Sequence, residues 1–214
     1  MKTDALISML ASGPTAVDAS TTTRRIGEAT AGGFGAAAIA MLAVLGPRAD
    51  LASAISLPMF WLKFAVPLSL AIAFFVASTR LARPGGRAKG AWIAVVAALV
   101  MLWAAASVEL AAAPAGRRAS MVEGTSAVLC VLSIALLSLP LLLAMFVALR
   151  SLGPTRLGAA GMACGGLAGA AAALVYAVHC TEMAVPFLAT WYVLGIFVPA
   201  AIGSVGGARL LRWA

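Results

Sequence analysis

Charges are absent from six long stretches of this chain, and no other feature constrains its fold as tightly. Uncharged segments run over residues 29–47, 64–79, 90–108, 124–149, 157–181 and 183–208. A transmembrane helix needs about 20 mostly apolar residues, and a charge near the bilayer centre is costly. Six spans follow. The second is long enough if it starts near Pro58 and carries Lys63 inside its end, with the ammonium snorkelling to the interface. Composition excludes the soluble alternatives. The chain is 63% apolar and only 10% charged, whereas ordinary soluble domains are about 45–50% apolar and about 25% charged. A soluble fold exposes much of its area to water and cannot hide so much apolar surface. A membrane β-barrel would alternate apolar and polar residues in segments of about ten, and no such alternation occurs. The expected fold is all-α, a polytopic membrane protein.

The connections are short: residues 46–57, 79–89, 112–123, 150–156 and 179–185. Short connections force antiparallel neighbours, so three helical hairpins are expected, with no soluble domain between spans. With the N-terminus in the cytoplasm, eleven of the fifteen Lys and Arg residues fall on the cytoplasmic side. The positive-inside rule therefore puts both termini there. Residues 1–25 read as a cytoplasmic arm, 26–208 as the six-helix domain and 209–214 as a cytoplasmic tail. Asp4 interrupts the apolar run of the first residues, so no signal peptide is expected there, and residues 29–47 read as a retained span. The net charge of +8 does not point to nucleic acid, because the basic residues sit in these connections as topology signals.

Few groups within the spans could do chemistry. Lys63 and Glu109 lie near span ends, where they could pair with each other or with Asp50. No hydrolase elbow, zincin helix, Walker loop or dinucleotide fingerprint occurs. One histidine, His179, leaves no basis for a His-cluster metal site. No catalytic residues, cofactor or metal are expected. Span five carries Gly161, Gly165 and Gly169 at four-residue spacing, a stripe that lets helix backbones approach closely. It reads as internal packing in preference to a dimer contact. Pro67, Pro140 and Pro199 sit inside spans two, four and six, and each removes a backbone hydrogen bond.

Two features remain. In the arm, Thr3 can cap a short helix with Asp4 near its positive end. Ala5, Leu6, Met9 and Leu10 share a face with Ile7 at its edge, and Gly13–Pro14 stops the helix. Such a helix is too short to be stable alone in water, and residues 15–23 read as a flexible tether. The arm reads equally as a segment that folds into a partner's groove or as a frayed terminus on the membrane surface. The second feature is a pair of thiols on the far side of the membrane. Cys130 lies about two turns into span four, and Cys180 lies in the last connection within His179-Cys180-Thr181-Glu182. If spans four and five pack together the two thiols meet, and His179 and Glu182 stand beside Cys180 as ligand or tuning groups. Thiolates bind soft metals and oxidise readily; a small buried apolar residue is the plain alternative for Cys130. Cys164, on the glycine-rich half of span five, reads as packing.

These pieces together resemble a known family. The start Met1-Lys2-Thr3-Asp4 with Leu6-Ile7 and Leu10, then Phe60-Trp61-Leu62-Lys63, Arg83-Pro84-Gly85, Cys130 and Leu139-Pro140 occur in order. Gly153-Pro154-Thr155-Arg156, His179-Cys180 with Glu182, Trp191-Tyr192 and the ending Arg209 to Trp213 follow. In order and spacing the whole chain resembles the NrsF-type (negative regulator of sigma F) membrane anti-sigma factors, six-span proteins of proteobacteria. The resemblance implies a protein of the bacterial inner membrane that sequesters an extracytoplasmic-function sigma factor and releases it on an envelope signal, as in a stress response. It implies that Asp4, Leu6, Ile7 and Leu10 grip the sigma factor, and that Cys130 and Cys180 match the family's outer-side cysteines. The expected partners are that sigma factor and the lipid bilayer, with no direct nucleic acid. The alternative from another class is a small six-span transporter or channel, weakened by the lack of deep polar residues; a lipid-acting membrane enzyme ranks below it.

Overall fold

The computed structural model describes Thr3, Ile7, Ser8 and residues 19–211. Six helices are long and apolar enough to cross a membrane. In chain order these are α1 (Ala19–Val44), α2 (Pro58–Leu81), α3 (Lys89–Ala112), α4 (Ala127–Arg150), α5 (Leu157–Tyr176) and α6 (Val185–Leu210). Two short helices, Leu51–Ala54 and Ala115–Glu123, occupy the connections before α2 and α4. Strands are absent among the described residues. Large apolar side chains such as Ile39, Leu42, Ile72, Val96, Met101, Leu136 and Val147 are more than half exposed. In water so much exposed apolar surface would drive association; in a bilayer it is the lipid-facing belt of a multi-pass membrane protein.

Helix α5 is the axis. Within its apolar window 78% of residues are buried, against 22% for α1 and α3. It packs against α6, α2, α4 and α1. Its alanines and glycines make this geometry available, since only small side chains can be surrounded on every face. Lipid tails are as apolar as leucine, so helices in a bilayer associate through close packing of this kind. A methyl group at Gly161 or Gly165 would strike the backbone of Gly203, or of Pro199 and Ala200, on α6. In return, Gly203 and Gly207 of α6 admit the backbone of α5. The glycine stripe is therefore internal packing, as expected. Gly166, on another face, lies against the ring of Phe74 from α2.

The helix α1 departs from the expected pattern twice. It packs along α4 far more extensively than against α2. Gly33 allows this approach, because a Cβ there would sit 2.5 Å from the Leu141 backbone. The thirteen-residue connection to α2, residues 45–57, is long enough to let the two helices separate. The helix also begins at Ala19, so residues 19–23 are helical where a tether was expected. Tertiary contacts supply the reason. Thr22 and Ile26 are buried, and Arg25 Nη1 donates to Ser151 Oγ at 2.7 Å, joining the start of α1 to the end of α4.

Contacts gather the connections into two groups. Arg48, Lys63, Thr125, His179 and Glu182 meet at one end of the bundle, which carries the α1–α2, α3–α4 and α5–α6 connections. At the other end Gly85 N–H donates to Thr155 Oγ1, bringing the α2–α3 and α4–α5 connections together. Pro58 opens α2 at its first turn, where its missing N–H costs nothing. At Gly124, φ of 58° lets the chain turn from the short helix into α4, and any side chain would strike the Phe187 ring.

Candidate functional site

The end of the bundle that holds Cys180 is built around Lys63. Its side chain is fully buried. The ammonium donates to the carbonyl of Cys180 at 2.7 Å and to that of Glu182 at 2.6 Å, and lies 5.9 Å from the centre of the Tyr192 ring. This corrects the expectation that Lys63 snorkels to the interface, and it pairs with neither Glu109 nor Asp50. The physical reason is the α5–α6 connection. Residues 180–184 are not helical, so the carbonyls of Cys180 and Glu182 have no intrahelical donors, and an unpaired buried carbonyl is costly. Lys63 supplies the missing donors.

Arg48 reaches the same carbonyl from the α1–α2 connection. Its Nη1 donates to Cys180 O at 3.3 Å, and its backbone N–H donates to Val178 O at 3.2 Å. Its Nε and Nη2 form a fork onto Asp50 at 2.6 and 2.7 Å. That paired hydrogen bond is the main influence on both partners. It holds the Asp50 carboxyl below its usual value and the Arg48 guanidinium above its own. Bidentate pairing of this kind fixes orientation as well as charge.

The side chains of the His179–Glu182 segment tie it to two further elements. His179 Nδ1 lies 2.9 Å from Gly46 O; a carbonyl only accepts, so the proton is on Nδ1. Glu182 Oε1 accepts from both the backbone N–H and the hydroxyl of Thr125 at 2.7 Å, just before α4. His179 and Glu182 thus flank Cys180 in sequence, while these bonds hold their polar atoms on neighbouring connections. Glu109, at the end of α3, accepts from the Val185 N–H at 3.0 Å and so caps the start of α6.

Cys130 from α4 and Cys180 are both free and buried. They lie within electrostatic reach of each other, of Lys63 and of Glu182. The fold therefore brings the two expected thiols into one cluster. Beside them the Tyr192 hydroxyl is buried next to Cys180 without reaching hydrogen-bond geometry. Tyr192 is placed by a π-helical turn, Leu188–Tyr192, inside α6; such turns re-aim the side chains around them. The same turn presents Trp191, whose Nε1 donates to Val122 O at 2.7 Å. Among the described residues no group of three His, Cys, Asp or Glu could hold a metal ion. Cys164 lies apart, buried on α5 with Ser78 Oγ 3.6 Å from its sulfur.

Of the arm residues expected to grip a partner, Asp4, Leu6 and Leu10 lie outside the described residues. Ile7 is helical and more than half exposed. Sequence reasoning missed Arg48 and Tyr192 as members of the thiol cluster, and took Lys63 for an interfacial residue. The only available signal was a lysine among apolar residues in Phe60-Trp61-Leu62-Lys63, which does not say where its partners are.

Residues 10–213 match the family model described as negative regulator of sigma F. The chain belongs to the NrsF family. Over its full length it is 42% identical to the probable anti-sigma-F factor NrsF of Azospira oryzae, covering that protein completely. It is 37% identical, again over the whole of both chains, to the anti-sigma-F factor NrsF of Caulobacter vibrioides. No solved structure matches. Membership of the NrsF family makes this a regulatory protein and not an enzyme.

Proposed function

We propose that this chain is an anti-sigma factor of the bacterial inner membrane. It sequesters an extracytoplasmic-function sigma factor through the cytoplasmic arm, residues 1–25, and releases it when an envelope signal reaches the outer-side thiols. The observation that carries this reading is the full-length likeness to two proteins named anti-sigma-F factors. The likeness runs through the arm as well as the six helices. Both termini are placed in the cytoplasm, supported by the eleven basic residues on that side. The six-helix domain, 26–208, holds the arm at the membrane, and residues 209–214 form a cytoplasmic tail.

In this reading Asp4, Leu6, Ile7 and Leu10 are the hook. A short segment that folds on its partner loses ordering entropy at that moment, so it binds reversibly and can be let go. Cys130 and Cys180 are the sensor, with His179 and Glu182 fixing the segment around Cys180. A chemical change at either buried thiol no longer fits the packed cluster. The segment then shifts, and Lys63 and Arg48 lose the Cys180 carbonyl. Packed helices prefer discrete arrangements to gradual bending. The glycine interlock of α5 with α6 supports transfer of such a shift along the bundle as a rigid-body motion.

The test is a pull-down from native membranes in mild detergent, wild type against a chain lacking residues 1–12. Retention of a sigma factor by the wild type and its loss from the truncation is expected. No sigma factor in either sample overturns the reading. In the Cys130→Ser/Cys180→Ser variant sequestration persists and release on signal is lost; a normal response removes the thiols from sensing.

A further inference from the structure

An open apolar groove with a cationic mouth lies at the end of the bundle opposite the thiols. The cavity measures about 640 Å³, within the roughly 300–1,000 Å³ of small-ligand sites. Arg87, Lys89 and Arg156 stand at its mouth, and Trp92, Val96 and Val100 line its length along α3. The eight steps from Trp92 to Val100 advance about 12 Å along the helix, so the groove runs from a charged rim into the apolar zone. Val96 and Val100 are more than half exposed.

The three cations have no carboxylate among the described residues. The ion pairs formed there are Arg24–Glu28 and Arg48–Asp50, and among the described residues the side chains of Arg87, Lys89 and Arg156 donate no hydrogen bond. The mouth also sits between the first turns of two long helices. The residues preceding α3 and α5, Ala88 and Arg156, make no side-chain cap. Uncapped N–H groups and the positive ends of both helix dipoles thus add to the cationic field. Cations without a carboxylate among the described residues, above an apolar groove along a membrane-spanning helix, match one kind of molecule, a phosphate-bearing headgroup on an acyl chain.

We propose that this groove is a binding site for one anionic phospholipid. The phosphate lies among Arg87, Lys89 and Arg156, and an acyl chain lies along Trp92, Val96 and Val100. The site goes beyond the anti-sigma reading and does not require it, because it needs only that the chain sits in a bilayer. Its consequence is a bundle clamped on α3 and α5 by the lipid of one leaflet. Zwitterionic lipids carry the same phosphate, but their own cation offsets it, so the site discriminates by headgroup charge.

Native mass spectrometry of the full chain in detergent tests this. The probes are phosphatidylglycerol and phosphatidylcholine with identical acyl chains. The wild type is expected to retain phosphatidylglycerol about tenfold better, which is modest for three cations near an anionic group. The variant R87Q/K89Q/R156Q, which changes only exposed side chains, is expected to retain both lipids equally. Millimolar inorganic phosphate or deacylated glycerophosphoglycerol is expected not to displace the lipid, since neither fills the apolar length. Equal retention of both lipids by the wild type overturns the proposal, as does an unchanged preference in the triple variant. Displacement by free phosphate would make this an anion site without a lipid, which also overturns it. If the triple variant loses a sigma factor in the membrane pull-down while its lipid preference stands, the face is a protein contact and the proposal falls. Failure of the sigma pull-down in the wild type bears on the anti-sigma reading alone.

Discussion

Lys63 shows how much a single residue can organise when its charge is placed where backbone needs it. A lysine within an apolar helix has two solutions. It can reach out to water along its four-carbon stem, or it can be buried with partners that satisfy its ammonium. Here the second is realised, because the non-helical stretch after Cys180 presents two carbonyls that no helix satisfies. The lysine and the connection depend on each other. Replacing Lys63 by Met keeps much of the volume but leaves the Glu182 carbonyl without its donor and the Cys180 carbonyl with Arg48 alone, a loss of about 1–3 kcal/mol. Thermal or denaturant unfolding of the purified K63M variant should show it. Cys180 should also react faster with a maleimide in K63M than in the wild type, because the segment that buries it is no longer held. An unchanged labelling rate would mean that Lys63 does not hold the segment.

At the scale of helices, small residues decide who packs against whom. The adjacent glycines Gly32 and Gly33 on α1 make the point. Nothing lies within 4 Å of a Cβ at Gly32, whereas one at Gly33 meets the Leu141 backbone of α4. Gly32→Ala should therefore stabilise the protein by about 0.5–1 kcal/mol through helix propensity alone. Gly33→Ala should destabilise it by about 1–3 kcal/mol, because α1 must move off α4. Unfolding of the two variants in the same detergent measures both signs. If α1 instead packed chiefly on α2, its sequence neighbour, the two substitutions would behave alike. The glycine spacing of α5 was legible as a packing surface, since small residues at four-residue intervals lie on one helix face. Its partner was not, because small residues at four-residue spacing, on α5 or at Gly203 and Gly207 of α6, say that backbones can approach without saying which helices meet.

For the whole molecule, the two ends differ in chemistry. One end joins Arg48, Lys63, Cys130 and Cys180 in a buried cluster; the other carries exposed cations and the start of α1. The proposed orientation puts the first outside the cytoplasm and the second inside it. A phosphatase reporter that works only outside the cytoplasm should be active when fused after Ser120 and inactive when fused after Gly86 or the last residue. The reverse pattern would invert the proposed topology and put the thiols out of reach of an envelope signal.

The number of spans, the membrane class and most span bounds to within a few residues came from the sequence by itself; the start of α1, ten residues before the first uncharged stretch, did not. These properties depend on a one-dimensional quantity, the cost of carrying charge through a bilayer, and a run of residues either meets it or does not. The likeness to the NrsF family was legible for a similar reason, since it rests on motifs in order along the chain. Only the tertiary structure decided that α1 lies on α4, that α5 is the axis, and that Lys63 and Arg48 converge on the Cys180 carbonyl. Helices that are apolar on every side carry no stripe to say which face turns inward. The partners of Lys63 are carbonyls more than a hundred residues away, and every residue has a carbonyl. That choice is made by which connections the packed helices bring together.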